Sequence, residues 1–427
     1  MLKLKTLATF NYMGKYTFFL LISFSVFSQK VSERKLKKWI EQIPAFENAH
    51  VAVRVEKSDK VLADYNGSKY MTPASNTKLL TFLGAIQTFD SLPALDYFLE
   101  NDSIVHFKST GYPLLLHPFY SDTLLFNFLN QEKTWKYHLP ETSPDPLGEG
   151  WAWDDYNYYY AAEKSPFPIY GNSVMGIKGS GLVPNFETIQ DSVSSNLVRE
   201  KNSNLFNSNV GNWKTNDTLY RPFITSDTLF VKLLSEATGK SIEIANNNDS
   251  IDWLTLYTGN DEKLYKGLLH DSDNGIAESL LLMISNSLHG VFNTQIAIDS
   301  LSKKWKFFLP EALEWVDGSG VSRYNMFTPR TLISVLKQIR KELEWERIKD
   351  LFAKSGESGT LSSYSKLNNV YAKTGTLRHN HNLSGYWENE EGEIYEFSVM
   401  VNHYTSSTAE IREGITKILT SLQQKLN

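Results

Sequence analysis

Alternating apolar and polar positions near the amino-terminal end of the chain predict a β-hairpin. Val51, Val53 and Val55 alternate with other residues, and a second apolar run follows a short polar turn. A period of two is typical of a strand that buries one of its faces. We therefore predict a hairpin over residues 51–66.

The pattern then changes to a helical period. Leu79, Leu80, Leu83 and Ile86 follow the spacing of an amphipathic helix. The preceding residues 75–77 are serine, asparagine and threonine, which suit a helix N-cap. The sequence therefore predicts a helix that starts near this polar tripeptide.

The carboxyl-terminal part of the chain repeats both patterns. Residues 394–401 read as a strand, and residues from about 408 to 426 form an amphipathic helical pattern. A hairpin near one end and a strand with a helix near the other are compatible with one sheet closed by both ends of the chain.

The middle of the chain differs in composition and in the length of its apolar runs. It is rich in Asn, Ser, Asp, Tyr and Trp, and its apolar runs are short, as at residues 114–116 and 229–231. Short apolar runs between polar turns are typical of strands. We interpret this region as inserted β-rich material.

The first residues have the composition of a secretory signal. Lys3, Lys5 and Lys15 precede an apolar run over residues 16–27. We interpret residues 1–28 as a cleaved signal peptide. The alternative is an uncleaved membrane anchor, but the run is shorter than the roughly 20 residues that a spanning helix needs.

Composition excludes several classes of function. The 427 residues include no cysteine, which rules out disulfides, thiolate metal sites and cysteine catalysis. The 48 acidic residues outnumber the 43 basic ones, and no block of positive charge indicates a nucleic-acid partner. A large exported protein without disulfides suits a bacterial periplasm.

A serine three residues before a lysine can carry out acyl transfer when the pair opens a helix, because both then lie on one face. Only Ser75 follows a proline turn, at Pro73, and begins an apolar helix that would bury Lys78 and lower its pKa. The pattern itself is weak, since it occurs four times, at Ser32/Lys35, Ser75/Lys78, Ser300/Lys303 and Ser363/Lys366.

Two further tripeptides strengthen this interpretation. Ser272-Asp273-Asn274 lies before the apolar stretch 276–284, and Lys373-Thr374-Gly375 follows a predicted strand at 370–372. Either tripeptide alone could be a solvated turn. Together with Ser75 and Lys78, in this order, they form the signature of penicillin-binding proteins and serine β-lactamases.

The match extends beyond the three motifs. Both flanks of the chain, about 45–90 and 265–420, resemble the D-alanyl-D-alanine carboxypeptidase/endopeptidase family of class C, low-molecular-mass penicillin-binding proteins. The resemblance rests on the following segments: Met71–Thr81, Asp271–Glu278, Asp317–Asn325 with Thr328–Arg330, Ser358–Leu361, Ala372–Leu377 and Leu383–Tyr386.

The resemblance implies an α+β fold, in which a penicillin-binding/β-lactamase-like transpeptidase domain has an antiparallel sheet flanked by helices. That domain would comprise residues 29–90 and 265–427. Residues 91–264 would form the family's inserted region, as two nested β-rich subdomains, and would explain the long gap between Ser75 and Ser272. Residues 150–155 look like the insert segment that overhangs the family's active site.

The resemblance also implies catalytic roles. Ser75 would attack the carbonyl of the penultimate D-alanine to form an acyl-enzyme, and Lys78 would accept its proton. Ser272 would relay a proton to the leaving amine, Asn274 would hold the substrate amide, and Lys373 would supply positive potential beside the serine.

Substrate-binding roles follow in the same way. The hydroxyls of Thr374 and Thr376 would bind the terminal carboxylate, while Gly375 would allow close backbone approach. The backbone amides of Ser75 and Thr376 would form the oxyanion hole. Asp155 and Arg323 match positions near the stem-peptide site, although Asp155 could instead cap a helix and Arg323 could brace the turn that begins at Asp317.

The sequence thus predicts a serine-type D-Ala-D-Ala carboxypeptidase, also able to act as a DD-endopeptidase, on peptidoglycan stem peptides, with β-lactams as covalent inhibitors. We expect no cofactor and no obligate protein partner. A metal site is not expected either, because His379 and His381 have no carboxylate at metal-binding spacing. The alternatives are a β-lactamase, which the long insert disfavours, and a wall-binding relative without activity, which the intact motifs disfavour.

Overall fold

The computed structural model describes residues 30–177, 181–190, 197–208, 218–245 and 252–426. The predicted signal peptide, residues 1–28, lies outside the described residues. Within these ranges, no helix is long and apolar enough to cross a membrane.

The described residues form α-helices and β-strands, with a run of strands in the middle of the chain and a run of helices after it. The helices are α1 (Glu33–Glu41), α2 (Lys78–Ile86), α3 (Thr123–Leu129), α4 (Asp227–Thr238), α5 (Asp261–Leu269), α6 (Asn274–His289), α7 (Thr294–Trp305), α8 (Pro329–Glu342), α9 (Trp345–Leu351) and α10 (Thr408–Leu426). The strands are β1 (His50–Lys57), β2 (Lys60–Tyr65), β3 (Pro93–Asn101), β4 (Ile104–Lys108), β5 (Thr134–His138), β6 (Ser173–Ile177), β7 (Gly181–Val183), β8 (Thr188–Gln190), β9 (Val198–Arg199), β10 (Phe206–Ser208), β11 (Thr218–Pro222), β12 (Ile242–Ala245), β13 (Leu254–Tyr257), β14 (Ala353–Lys354), β15 (Val370–Leu377), β16 (Asn380–Glu388) and β17 (Ile394–Asn402).

A six-stranded antiparallel sheet joins the two ends of the chain. Its strand order is β14-β15-β16-β17-β1-β2. Strand β1 lies between β17 and its hairpin partner β2, which forms one edge of the sheet, and Val51 pairs with Val401. The predicted hairpin, carboxyl-terminal strand and sheet closed by both chain ends are therefore confirmed.

Helices cover both faces of this sheet. On one face, α1 and α10 pack on alternate strand residues such as Val53, Val399 and Ala372. On the other face, α2, α6 and α8 form a larger core that includes Tyr371 and Tyr386. Two buried faces give each strand apolar residues on both sides, and their removal from water stabilises the layers.

Helix α2 starts differently from the prediction. Residues 74–77 form a 3₁₀ turn, and α2 begins at Lys78 without a side-chain N-cap. The hydroxyl of Thr77 donates to the Ala74 carbonyl oxygen instead, at 2.8 Å. The expected capping role of this polar tripeptide is wrong, because its side chains bond elsewhere.

The middle region supplies three further sheets, with strand orders β12-β5-β4-β3-β13, β11-β6-β7 and β8-β10-β9. The prediction of β-rich material in this region is therefore confirmed. Residues 229–231 are an exception, because they lie in helix α4, whose apolar face packs inward. Strands β3 and β13, at the two ends of the insert, pair with each other, with Pro93 opposite Tyr257. The α+β fold is confirmed, whereas the domain limits at 90/91 and 264/265 stay a proposal.

Candidate active site

Ser75 lies in the 3₁₀ turn between β2 and α2, where several neighbours fix the backbone. Ala74 just before it has a positive φ of 48°, a conformation that costs energy in a non-glycine residue. The Asn76 side chain donates to the Lys373 carbonyl oxygen at 2.8 Å and so ties the turn to strand β15. Ser75 itself keeps partial exposure to solvent.

Lys78 is fully buried one turn after Ser75. Its Nζ lies 3.1 Å from Ser75 Oγ, 2.6 Å from Asn274 Oδ1 and 2.7 Å from the Ser319 carbonyl oxygen. Burial lowers the pKa of Lys78 to about 8, although the charges of Asp317, Asp273 and Glu278 oppose the shift. A lysine with this pKa can act as a base near neutral pH.

The three contacts of Lys78 also orient its lone pair. A neutral amine keeps two hydrogens and one lone pair, and the oxygens of Asn274 and Ser319 can only accept hydrogen bonds here. These two oxygens take the two hydrogens, so the lone pair faces the Ser75 hydroxyl. The geometry therefore suits proton transfer from Ser75 to Lys78.

The acylation rate should depend on pH through Lys78. With a pKa lowered to about 8, about one tenth of the lysine is neutral at pH 7. Only the neutral form can accept the proton, so the second-order rate of acylation by benzylpenicillin should rise about fivefold from pH 7 to pH 8 and about tenfold in all, and should level off above about pH 9. Stopped-flow measurement of acylation between pH 6 and 9.5 checks this, and a rate that falls over that interval would contradict it.

The buried Lys373 and the half-buried Ser272 form a second pair beside the first. Lys373 Nζ donates to Ser272 Oγ at 2.8 Å and to the Thr374 carbonyl oxygen at 2.9 Å. Burial lowers the pKa of Lys373 well below its usual value, the nearby Lys78 charge lowers it further, and Asp271 opposes both effects. An anionic ligand bound here would raise that pKa again and hold Lys373 as a cation.

Helix α6 presents Asn274 at its first position. Asp273 caps the helix by accepting a hydrogen bond from the Ile276 amide at 2.9 Å. The Asn274 amide nitrogen donates to the Tyr160 carbonyl oxygen at 2.7 Å. That nitrogen has a second hydrogen, which is the one available to a substrate carbonyl.

The strand β15 carries Thr374, Gly375 and Thr376 along the edge of the site. Thr376 is exposed, and Thr374 is 8% exposed. A Cβ atom on Gly375 would lie 2.4 Å from the Pro73 carbonyl oxygen. Glycine at this position lets the strand approach the Ser75 turn closely, in agreement with the sequence interpretation.

A segment of the insert lies against this site. Trp151 Nε1 donates to Asp317 Oδ2 at 2.9 Å, and the Tyr160 hydroxyl donates to Asp155 Oδ1 at 2.7 Å. Tyr160 also contacts Asn274 through its carbonyl oxygen. Residues 150–160 therefore reach the site, as expected for the overhanging segment.

Asp155 and Arg323 lie at the periphery, outside the hydrogen-bonded groups around Ser75. Asp155 does not cap its short helix, where Ala152 precedes the first residue. Arg323 is exposed, and its guanidinium has no hydrogen-bonding or ionic partner among the described residues. Asn325 braces the turn instead, by donating to Asp317 Oδ1 at 2.7 Å.

The sequence interpretation missed two acidic groups behind Lys78. Glu278 accepts from the Ser319 amide at 2.8 Å, and Asp317 accepts from the Gly320 amide at 2.8 Å. Burial raises the pKa of Glu278, and the Asp317 charge raises it further. The sequence did contain a signal for Glu278: it is four residues after Asn274 and so lies on the same face of a helix.

The other serines and histidines considered in the sequence analysis lie in positions that stabilise the fold. Ser32 caps α1, and the Ser300 hydroxyl donates to the Ile296 carbonyl oxygen at 2.8 Å. His379 lies in the turn before β16, whereas His381 lies buried within β16. Over the described ranges, no group of three or more His, Asp or Glu side chains could hold a metal ion.

The comparison with protein families agrees with the motifs. The model of the D-Ala-D-Ala carboxypeptidase 3 (S13) family matches residues 32–108 and 255–422. These two ranges exceed half of the chain, so the protein belongs to this family. The match omits residues 109–254, which lie within the insert.

Individual relatives add detail. A stretch of 157 residues is 32% identical to the D-alanyl-D-alanine carboxypeptidase DacB of Haemophilus influenzae, and it spans 34% of this chain and 33% of that relative. The crystal structure of penicillin binding protein 4 (dacB) from the same organism superposes with a TM-score of 0.66 at 20% identity, over 93% of this chain and 99% of that one.

A second solved structure shares the fold. A predatory peptidoglycan endopeptidase from Bdellovibrio bacteriovorus superposes with a TM-score of 0.52 at 14% identity, over 89% of this chain and 94% of that one. At these identities both structures support the fold alone.

Proposed function

We propose that this protein is a periplasmic serine-type D-Ala-D-Ala carboxypeptidase that also acts as a DD-endopeptidase. Its substrate would be the stem peptide of peptidoglycan, and β-lactams would acylate it. The observation that carries the proposal is the contact between Ser75 Oγ and Lys78 Nζ at 3.1 Å, because the lysine has a pKa lowered to about 8.

In the first step, neutral Lys78 takes the hydroxyl proton while Ser75 Oγ bonds to the carbonyl carbon of the penultimate D-alanine. The backbone amides of Ser75 and Thr376 would stabilise the oxyanion. Collapse of the tetrahedral intermediate breaks the peptide bond, and the leaving amine takes a proton through Ser272. The ester on Ser75 remains.

In the second step, water attacks this ester and restores the enzyme. The attacking water loses a proton to the base, and Ser75 leaves as a hydroxyl after it regains one.

In the first step, Lys373, paired with Ser272 at 2.8 Å, would hold the carboxylate of the leaving D-amino acid together with Thr374 and Thr376. The same carboxylate lies next to the scissile bond in a D-Ala terminus and in a cross-link to a D-centre, which supports both activities.

Several observations support this function over its alternatives. The family includes D-Ala-D-Ala carboxypeptidases, and the endopeptidase relative shares the fold. The described site contains complete Ser-x-x-Lys, Ser-Asp-Asn and Lys-Thr-Gly motifs, which disfavours an inactive wall-binding protein. A periplasmic location rests on the predicted signal peptide, residues 1–28, and on the cell-wall substrate.

The decisive test is intact-mass spectrometry after incubation with benzylpenicillin, beside a Ser75→Ala variant. We expect one penicillin adduct on the wild-type protein and none on the variant, because Ser75 would supply the oxygen that bonds to the penicillin carbonyl. Ser300→Ala serves as a matched control and should keep the adduct. Absence of an adduct on the wild-type protein would refute the function, and fast release of the adduct would favour a β-lactamase.

A further inference from the structure

Behind the carboxylate-binding strand lies a buried chain of hydrogen bonds that the catalytic motifs do not include. Thr376 and His381 are cross-strand partners in β15 and β16. Thr376 Oγ1 lies 2.7 Å from His381 Nδ1, and His381 Nε2 lies 2.6 Å from the Tyr364 hydroxyl. Tyr364 and His381 are each 1% exposed. The chain thus runs from the protein interior to the exposed Thr376.

The charged group at the inner end is Arg412, on helix α10. Its Cζ lies 5.7 Å from the centroid of the Tyr364 ring. Burial raises the pKa of Tyr364 overall, although the charge and hydrogen bond of Arg412 lower it in part. Tyr364 therefore keeps its hydroxyl hydrogen.

The hydrogen of the Tyr364 hydroxyl has one acceptor. Arginine has donors only, and in the described part of the chain His381 Nε2 is the acceptor within reach. A buried donor without a partner would cost free energy. Tyr364 therefore donates to His381 Nε2, and that nitrogen carries no hydrogen.

The state of His381 then follows. Burial, followed by the Arg412 charge, lowers the pKa of His381 to about 4, so the imidazole is neutral near pH 7. A neutral imidazole carries one hydrogen. Since Nε2 accepts, the hydrogen is on Nδ1, and it is donated to Thr376 Oγ1.

The direction of these hydrogen bonds, from Tyr364 to His381 and from His381 to Thr376, decides where the Thr376 hydroxyl points. Its oxygen already accepts from His381, so its own hydrogen is directed elsewhere, toward the open side of β15, where Thr376 is exposed. An anion bound there would receive a donor that is oriented in advance. Without His381, the same hydroxyl could rotate and present a lone pair.

We propose that His381, held in one tautomer by Tyr364, is a positioning residue that orients the Thr376 hydroxyl as a donor to the substrate carboxylate. The proposal rests on the proposed function, because it concerns recognition of the same D-amino acid carboxylate. It adds a source of selectivity for a carboxylate over a carboxamide at the substrate terminus, since a carboxamide also presents N–H donors.

The tautomer can be measured directly. Long-range ¹H–¹⁵N correlation spectra of histidine-labelled wild-type protein, with His381 assigned through the spectrum of His381→Asn, should show the hydrogen on Nδ1 at pH 7. A hydrogen on Nε2, or a doubly protonated ring, would overturn the proposal. This measurement needs no turnover, so it is independent of the proposed function.

The effect on selectivity uses two substrates, N-acylated L-Lys-D-Ala-D-Ala and its C-terminal amide. We expect His381→Leu to lower the ratio of kcat/KM values, acid over amide, by about tenfold, because one oriented hydrogen bond to a charge is lost. His381→Asn retains an N–H donor near the Nδ1 position and should keep most of the ratio.

A purely structural role gives a different pattern. Equal losses on both substrates, or equal ratios in His381→Leu and His381→Asn, would overturn the proposal. Absence of hydrolysis and of a penicillin adduct in the wild-type protein would instead refute the proposed function and leave the tautomer result intact.

Discussion

Replacement of Lys78 by methionine should lower the rate of acylation by benzylpenicillin by about 10³-fold at pH 8, the effect of removing a positioned general base. Methionine nearly matches the length of the lysine chain and leaves no charge in this fully buried position. The residual rate should lose its rise between pH 7 and 8. Stopped-flow acylation of the purified variant measures both quantities.

Two controls separate chemistry from folding. Lys78→Met should still unfold in one cooperative thermal transition, because removal of a costly buried charge offsets part of the loss of the donor to Asn274 Oδ1 and to the Ser319 carbonyl oxygen. Lys304→Met removes a lysine on the exposed side of α7 and should leave acylation unchanged. If Lys78→Met acylated within tenfold of the wild-type rate, Lys78 would not be the base.

Replacement of Gly320 by alanine should abolish acylation and strongly destabilise the fold. Gly320 has a φ of 82°, and a Cβ atom there would lie 2.0 Å from the Ala74 carbonyl oxygen and 2.9 Å from the Ser75 amide nitrogen. The backbone must move to relieve this overlap, which displaces the proposed nucleophile and one proposed donor of the oxyanion hole. Thermal unfolding and penicillin adduct formation measure the two effects.

The matched control is Gly290→Ala. Gly290 has a similar φ of 72°, but nothing lies within 4 Å of its added Cβ atom. Gly290→Ala should lower the free energy of unfolding by only about 1–2 kcal/mol, the cost of a left-handed backbone conformation in a non-glycine residue. It should keep full acylation. The difference between the two variants isolates the close approach to Ser75, and similar losses in both would show that this approach is unimportant.

Local patterns allowed much of the peptidase fold to be predicted. The alternation at Val51 and Val53 and the helical spacing of Leu79 and Leu83 indicated a strand and a helix from their periods alone, although β1 is buried on both faces and α2 on all sides. The motif residues could be placed near one another only because three separate motifs occurred in family order. Their roles stay a proposal until the variants are measured.

Other features depend on distant contacts that local patterns do not contain. The capping prediction at residues 75–77 was wrong because strand β15 and the Lys78 amine occupy those side chains. Residues 229–231 look like a short strand but lie in the helix that begins at Asp227 and is capped by Ser226. The contact between His381 and Thr376 could be predicted only with the register of the hairpin β15–β16. The position of the imidazole hydrogen depends in turn on Tyr364, which lies in a loop.

The pairing of β3 with β13 has a consequence for how this protein can diverge. The chain leaves and rejoins the peptidase body on neighbouring antiparallel strands, so the distance between the two junctions stays fixed whatever lies beyond them. Lengthening a segment between fixed ends costs little extra closure entropy. The family match stops at residue 108, the end of β4, and resumes at residue 255, inside β13. The part of the insert beyond β3 and β13 can therefore change in length without moving the paired strands at which it begins and ends.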